Sequence, residues 1–389
     1  MIDYNELLSE KILNIKPSGI RKFFDIVEEM KDCISLGIGE PDFVTPWHIR
    51  EAGIRSLEEG HTYYTSNSGL IELRNEISDY MLRRFHLKYC PKEEIVITVG
   101  GSEAIDLCLR ALINKGDEVL IPEPTFVCYS PITELIGGVP VALNTTMKNN
   151  FRLTAQELKS KITPKTKLLI IPYPNNPTGA IMEKSDLEAI AEVLRGTNIL
   201  VLSDELYAEL TYTNNNHCSI ANLEGMSERT IVINGFSKAF AMTGWRLGFA
   251  CGPSSIIGAM TKIHQYAIMS APTTSQYSAI EALKNGDEDV LHMKEQYNQR
   301  RRFLISSLRQ MGIECFEPLG AFYAFPSIKK FGLSSVEFCE RLLKEHKCAV
   351  IPGNAFGDSG EGYIRISYAY SMERIARALK CIETFINSL

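Results

Sequence analysis

From residue 94 to residue 233 the chain alternates short β-branched and aliphatic runs with segments of helical periodicity, and no other property of the sequence restricts the fold as strongly. The runs at 94–99, 118–121, 139–143, 167–171, 199–203 and 230–233 read as strands; the stretches from Gly100 through Leu112, 129–136, 155–162 and 184–194 read as helices between them. Strands joined through helices run parallel, because a two-residue hairpin can only reverse the chain. A parallel sheet is covered by helices on both faces, so the predicted class is α/β with a mostly parallel central sheet. Such a sheet takes its ligands beyond the carboxyl ends of its strands.

Five of those ends carry residues with chemistry: Gly101-Ser102, Thr125-Phe126, Asn175-Asn176-Pro177-Thr178-Gly179, Asp204-Glu205-Leu206-Tyr207 and Ser237-Lys238. Gly100-Gly101-Ser102-Glu103 opens a helix, where free N–H groups and the positive end of the dipole favour an anion such as phosphate. Lys238 stands among Phe236, Phe240 and Met242; apolar surroundings lower an ammonium pKa and release the neutral amine that attacks carbonyls. Arg246, beside Gly244 and Trp245, suits a phosphate because a guanidinium meets phosphate oxygens bidentately. An acid such as Asp204 in the same crevice fits a pyridine nitrogen that must stay protonated to draw electrons. Taken singly, each has a plainer reading: Lys238 as a surface lysine, Arg246 as an ion-pair residue, Asp204 as a helix cap, Asn176 as an Asx turn. Convergence of five strand ends on one crevice argues for the chemical reading.

Outside this region, helical patterns over 4–29 break at Lys16-Pro17-Ser18-Gly19, and 34–42 reads as a short strand entering a turn whose Gly37 and Gly39 permit close approach to a ligand. Two amphipathic helices over 46–86 flank the polar turn Tyr63-Tyr64-Thr65-Ser66-Asn67. Long helices fill 253–311, broken at 271–274, and the remainder reads as short strands at 313–316, 321–325, 349–352 and 363–368 with helices at 335–344 and from Met372. A chain of 389 residues suits two domains. We expect a large one over 46–285 and a small α+β one over 1–45 and 286–389.

The formal charge of −6 and pI near 5.8 give no basic field for nucleic acid. No run approaches the ~18 apolar residues of a membrane span, and the early acids leave no apolar signal core, so a cytoplasmic protein is expected. Ten scattered cysteines without a CxxC pair and seven dispersed histidines predict neither a disulfide framework nor a metal site.

The motifs LGIGEPDF, YTSNSG, GGSEAI, PYPNNPTG, SDELYAEL, NGFSKAFAMTGWRLGF, PLGAFYAFP and PGNAFGDSGEGYIRIS follow one another in an order that resembles the class I/II aminotransferases of the fold-type I pyridoxal-phosphate superfamily, over nearly the whole chain. The resemblance implies pyridoxal 5′-phosphate as cofactor and Lys238 as the lysine that holds it and carries the proton. It implies that Asp204 pairs with the pyridinium, that Tyr207 and Asn176 hold the ring oxygen, and that Phe126 stacks on the ring. Gly101, Ser102, Glu103, Ser237 and Arg246 would serve the phosphate, with Tyr64 reaching it from the other subunit of a homodimer. Arg365 would bind the substrate α-carboxylate, assisted by Asn176, Gly39 and Ile38. Two positions depart from common forms of the pattern: Gly235 stands where other branches have a phosphate-binding serine, and Phe126 where tryptophan or tyrosine is frequent.

The implied activity moves an amino group from an L-amino acid to a 2-oxo acid, such as 2-oxoglutarate, by ping-pong chemistry. Ser18-Gly19-Ile20-Arg21-Lys22-Phe23, PYPNNPTG and SDELYAELTY lean toward the N-acetyl-L,L-diaminopimelate aminotransferases of lysine biosynthesis, with Arg21 offered as a second cation for the substrate's far end. Aspartate and aromatic aminotransferases, and β-eliminating C–S lyases, share the same apparatus. Regulators built on this fold carry a DNA-binding domain ahead of it, whereas about 45 residues precede the large domain here and are expected to complete the small one.

Overall fold

The structure, a computed structural model, describes residues 2–4, 6–15 and 32–389. Its centre is a seven-stranded sheet in the order β2-β8-β7-β6-β5-β3-β4, made of β2 (Ile95–Thr98), β3 (Glu118–Glu123), β4 (Val139–Asn144), β5 (Thr166–Ile171), β6 (Leu200–Asp204), β7 (Thr230–Gly235) and β8 (Gly248–Cys251). All neighbours pair in parallel except β8, which is antiparallel to both β2 and β7. Two reversals restore direction, so β2 points the same way as the parallel strands. The helix after β2 therefore opens on the same edge as the residues after β6 and β7.

The sheet is mostly α/β, as the alternation requires. Its helices include α4 (Gly100–Leu112), α5 (Tyr129–Ile136), α6 (Ala155–Lys161) and α7 (Lys184–Leu194), after α1 (Glu10–Asn14), α2 (Trp47–Glu58) and α3 (Ile71–Phe85). Burial on both faces explains why these strands are continuous apolar runs: Leu168, Leu169, Ile170, Leu202, Ile231 and Ile233 are all fully buried. Three more helices follow the sheet, α8 (Ser254–Ala267), α9 (Thr273–Asn285) and α10 (Asp287–Gln310).

Beyond them lie two small sheets. β9 (Tyr323–Ala324), β11 (Ile351–Pro352) and β12 (Ile364–Ser367) form an antiparallel sheet in the order β11-β12-β9. β1 (Ile34–Ser35) pairs in parallel with β10 (Cys348–Ala349), and Ser367 N–H donates to the Leu36 carbonyl. Residues 34–36 are thus stitched to 348–349 and 367, beside Arg365 of β12. Helices α11 (Ser335–His346) and α12 (Met372–Ile386) pack on this part.

Several expected boundaries shift. The predicted strand at 313–316 is only a bridge from Cys315 to Pro326. The one at 349–352 divides at Val350 into strands of two different sheets, a switch of pairing partner that apolar pattern does not record. β8 carries no strand signal in the sequence, because Gly248 opens it and the polar Thr243-Gly244 leads into it, so it reads as part of a loop. Of the helical patterns over 4–29, α1 lies in the described residues, whereas 16–31, with Arg21, lie outside them. No helix among the described residues is long and apolar enough to cross a membrane.

Leu202 in β6 is two residues from Asp204 and wholly buried. Leu202→Ala should cost about 2–5 kcal/mol of stability, read as a lower urea midpoint; a loss under about 1 kcal/mol would contradict the buried placement of this strand.

Candidate active site

A cavity of about 360 Å³ opens at the carboxyl edge of the sheet, and its wall holds Lys238, Asp204, Arg246 and Arg365 together. Each arrives from a separate element. β7 ends at Gly235, and the tight turn that follows buries Phe236, Phe240 and Met242 in the core below while it presents Ser237 and Lys238 to the cavity. The apolar neighbours in sequence thus anchor the turn. The rings that face the amine come from elsewhere: Lys238 Nζ lies 5.9 Å from the Tyr207 ring centre and 5.7 Å from that of Phe322.

Nζ donates to the Gly39 carbonyl at 2.7 Å. Burial is the main reason that the Lys238 pKa falls to about 8; Arg365 and Arg246 push the same way, while Glu40 and Asp204 oppose. Glu40, a cavity residue that also accepts a hydrogen bond from Thr243 Oγ1, is the larger opposing charge. The amine is therefore poised for nucleophilic attack and proton transfer near neutral pH.

Asp204 is the last residue of β6 and not a helix cap. Burial raises its pKa, and the bond that Tyr129 Oη donates to Oδ2 at 2.6 Å lowers it again. The Leu206 N–H donates to Oδ1 at 3.2 Å. An acid held up by burial is stabilised in its charged form by any cation that approaches it.

At the other polar wall Arg365 is 3% exposed and pairs with no carboxylate among the described residues. Nη1 donates to Asn176 Oδ1 at 2.9 Å, Nη2 donates to the Gly37 carbonyl, and Nε has no partner among the described residues. Burial lowers its pKa, the mark of a cation short of compensating charge. Because Arg365 can only donate, Asn176 must turn its oxygen to it, which leaves Nδ2 as a donor on a cavity-lining residue. The Asx turn in this stretch belongs to Asn175, whose Oδ1 accepts from the Thr178 N–H and hydroxyl.

The first turn of α4 supplies unpaired N–H groups beside Arg246. Gly100 has φ +78°, and a Cβ there would meet Arg246 Nη2 at 2.7 Å; one on Gly101 would meet Leu206 Cδ1 at 2.3 Å. Only glycine lets this helix start lie so close to the guanidinium. Arg246 itself holds φ +52° and forms no ion pair among the described residues, so a non-glycine residue stands in a sparsely used backbone region where its charge is free.

Gly101, Ser102, Phe126, Asn176, Tyr207, Ser237, Ile38 and Gly39 also line the cavity. Two expected residues do not. Glu103 spends its carboxylate elsewhere, accepting from the Val99 N–H and binding His264 Nδ1 at 2.7 Å, so it secures the helix start from behind. Tyr64 is 80% exposed and outside its own chain's cavity. Tyr129, Tyr323, Glu40 and Thr243 line the site without having been singled out. Glu40 and Tyr323 sit inside recognised motifs, but Tyr129 joins Asp204 only through the order of strands in the sheet.

Two guanidiniums without an ion pair among the described residues, one half-buried acid, one amine and a glycine cradle at a helix start match the phosphate, pyridine nitrogen and aldehyde of pyridoxal 5′-phosphate together with the carboxylate of an amino acid.

Comparison with known proteins agrees with that set. The family model "Aminotransferase class I and II" matches residues 31–382. The chain is 54% identical to "Putative aminotransferase YugH" of Bacillus subtilis (strain 168) over 98% of both chains. It is 47% identical to an aspartate aminotransferase of Pyrococcus abyssi, over 97% of both. A second Bacillus subtilis protein, named "Probable N-acetyl-LL-diaminopimelate aminotransferase", is 44% identical over 98% of this chain and 96% of its own length. Among solved structures, an aromatic aminotransferase from Pyrococcus horikoshii OT3 superposes with a TM-score of 0.90 at 45% identity, over 94% of this chain and 99% of its own.

A lysine pKa lowered to about 8 has two consequences of fixed sign. The buried charge weakens the fold below about 8, and the penalty fades as pH rises toward the unfolded value. In the cofactor-free protein, the rate at which Lys238 captures a small aromatic aldehyde should rise about tenfold per pH unit below 8 and level off above it. A rate that climbs without a break to about pH 10 would contradict the placement of this amine.

Proposed function

From the premise that this chain belongs to the class I and II aminotransferases, pyridoxal-phosphate-dependent enzymes, we propose that its cavity moves the α-amino group of an L-amino acid to a 2-oxo acid, 2-oxoglutarate by preference. The observation that carries the site assignment is the meeting of Lys238, Asp204, Arg246 and Arg365 in one cavity with the amine at a pKa of about 8.

When bound, pyridoxal 5′-phosphate supplies an aldehyde for the lysine and an electron sink for the substrate Cα. Arg246, Ser102, Ser237 and the N–H groups at the start of α4 would hold its phosphate, Glu103 contributing through its backbone. Asp204, itself oriented by Tyr129, would stand against the ring nitrogen and keep it protonated. Tyr207 Oη and Asn176 Nδ2 would donate to the ring oxygen, and Phe126 would lie against the ring face. Arg365 binds the substrate carboxylate, its guanidinium fixed by Asn176 and Gly37. Lys238 Nζ would take the Cα proton of the bound amino acid, hold it as an ammonium, and give it up to the carbon that was the cofactor's aldehyde. The Gly39 carbonyl, which already accepts from Nζ, restrains the released amine at the cavity wall.

The donor we propose is N-acetyl-L,L-diaminopimelate, supported by the motifs PYPNNPTG and SDELYAELTY and by the similar Bacillus subtilis protein of that name. Aspartate and aromatic donors are the competing outcomes, since relatives so named are about as similar. The assembly is a homodimer in this reading: Tyr64 of a second copy completes the phosphate site, which fits its exposure and its absence from its own cavity. A large part over 46–285 and a small part from both chain ends belong to the same proposal, supported by the pairing of β1 with β10.

A donor panel with 2-oxoglutarate, comprising N-acetyl-L,L-diaminopimelate, aspartate and phenylalanine, should give stoichiometric glutamate and the matching 2-oxo acid. Pyruvate with free ammonia would instead mark a β-lyase. Lys238→Ala should lose at least about 10³-fold in kcat, within the range of a covalent and acid–base group, while still retaining cofactor; undiminished turnover would reject the assignment. Sedimentation should find a dimer, and a fully active monomer would remove Tyr64 from the site.

A further inference from the structure

We propose that Tyr323 is a positioning residue that serves both halves of the site at once, relaying a hydrogen bond through Tyr207 to the cofactor's ring oxygen and supporting Arg365 with its ring face. The proposal rests on the aminotransferase reading of the cavity.

Tyr323 is 1% exposed and begins β9, where it stands opposite Ser367 of β12. Residues two apart on a strand share a face, so Arg365 is its diagonal neighbour across the pair. The guanidinium carbon lies 4.6 Å from the Tyr323 ring centre. A cation over an aromatic face is attracted without any loss of its N–H donors. The ring therefore stabilises a buried charge whose Nη atoms bond, among the described residues, only to neutral oxygens, and it uses up none of the N–H donors.

The other end of the same side chain meets Tyr207: the two hydroxyl oxygens are 2.8 Å apart, with the rings edge to face. Each hydroxyl owns one proton, so within the pair one donates and the other accepts. If Tyr207 gives its proton to the cofactor's ring oxygen, Tyr323 must be the donor within the pair. A chain of this kind polarises its middle member, and Tyr207 becomes a stronger donor than it would be alone. The Tyr323 hydroxyl is also held from above, since a Cβ on Gly39 would lie 2.3 Å from it. The loop that carries the lysine's acceptor carbonyl thus rests directly on this hydroxyl. The charged groups on the surrounding cavity wall are Arg365, Lys238, Asp204, Glu40 and Arg246, none of which replaces the hydroxyl contact.

Two substitutions separate the two roles. Tyr323→Phe keeps the ring and deletes the donor, and Tyr323→Leu deletes both. A weaker Tyr207 donor stabilises the ring oxygen's negative charge less, so the imine between Lys238 and the cofactor keeps its proton to higher pH. In a visible-absorbance pH titration of the holoenzyme, Tyr323→Phe should move the imine midpoint up by about half a unit or more, while the KM of amino donors stays within about twofold of the native value. Tyr323→Leu should show the same midpoint shift and also raise every donor's KM by about threefold or more. An unmoved midpoint in Tyr323→Phe overturns the relay, and unchanged donor KM values in Tyr323→Leu overturn the support of Arg365. A native protein that binds pyridoxal 5′-phosphate without a lysine-linked absorbance band contradicts the aminotransferase reading itself, and this inference with it.

Discussion

The amino group of Lys238 sits where a positive charge is costly, and much of the site follows from that constraint. Two guanidiniums share its cavity, and burial outweighs the opposing pull of Glu40 and Asp204. A lysine in such a place is stable as a neutral amine near physiological pH, which is the form that forms imines and accepts protons. The turn that holds it is itself secured from below by Phe236, Phe240 and Met242 in the core between β7 and the flanking helices. The chemistry of the amine and the stability of the sheet edge thus depend on the same few residues.

Charge balance in the cavity carries the same logic to the other groups. Among the described residues Arg246 and Arg365 form no ion pair with a carboxylate, and each is set where an anionic part of a ligand can compensate it. Asp204 shows the converse, a half-buried acid held by Tyr129 that forms no ion pair among the described residues. In the proposed function the protein leaves these charges incompletely compensated and the cofactor and amino acid would complete them. Preorganised charge of this kind is also the most effective way for a site to lower a barrier.

Much of this was legible in the sequence because the sheet is parallel. Continuous apolar runs mark buried strands, their carboxyl ends share one edge, and Ser102, Phe126, Asn176, Asp204, Tyr207 and Lys238 stand at those ends. What escaped depends on pairing across the sheet or on the direction of a side chain. Tyr129 meets Asp204 because strand order brings β3 near β6, which spacing along the chain does not encode. The antiparallel β8 was hidden by its glycines, although it is the strand that turns β2 and the start of α4 toward the site. Glu103 stands in the right motif, yet its carboxylate points back to Val99 and His264, as an acid beside a phosphate cradle must. The apolar pattern places Tyr323 in a strand and says no more, since its two contacts join residues 116 and 42 positions away.

Everything proposed for the cavity depends on Lys238 being the lysine that carries the cofactor. Borohydride reduction of the holoenzyme fixes any lysine–cofactor imine as a stable amine, and peptide mass mapping then locates it. The label should fall on the peptide that contains Lys238 and on no other; a label on a different lysine, or none, would overturn the assignment of Lys238.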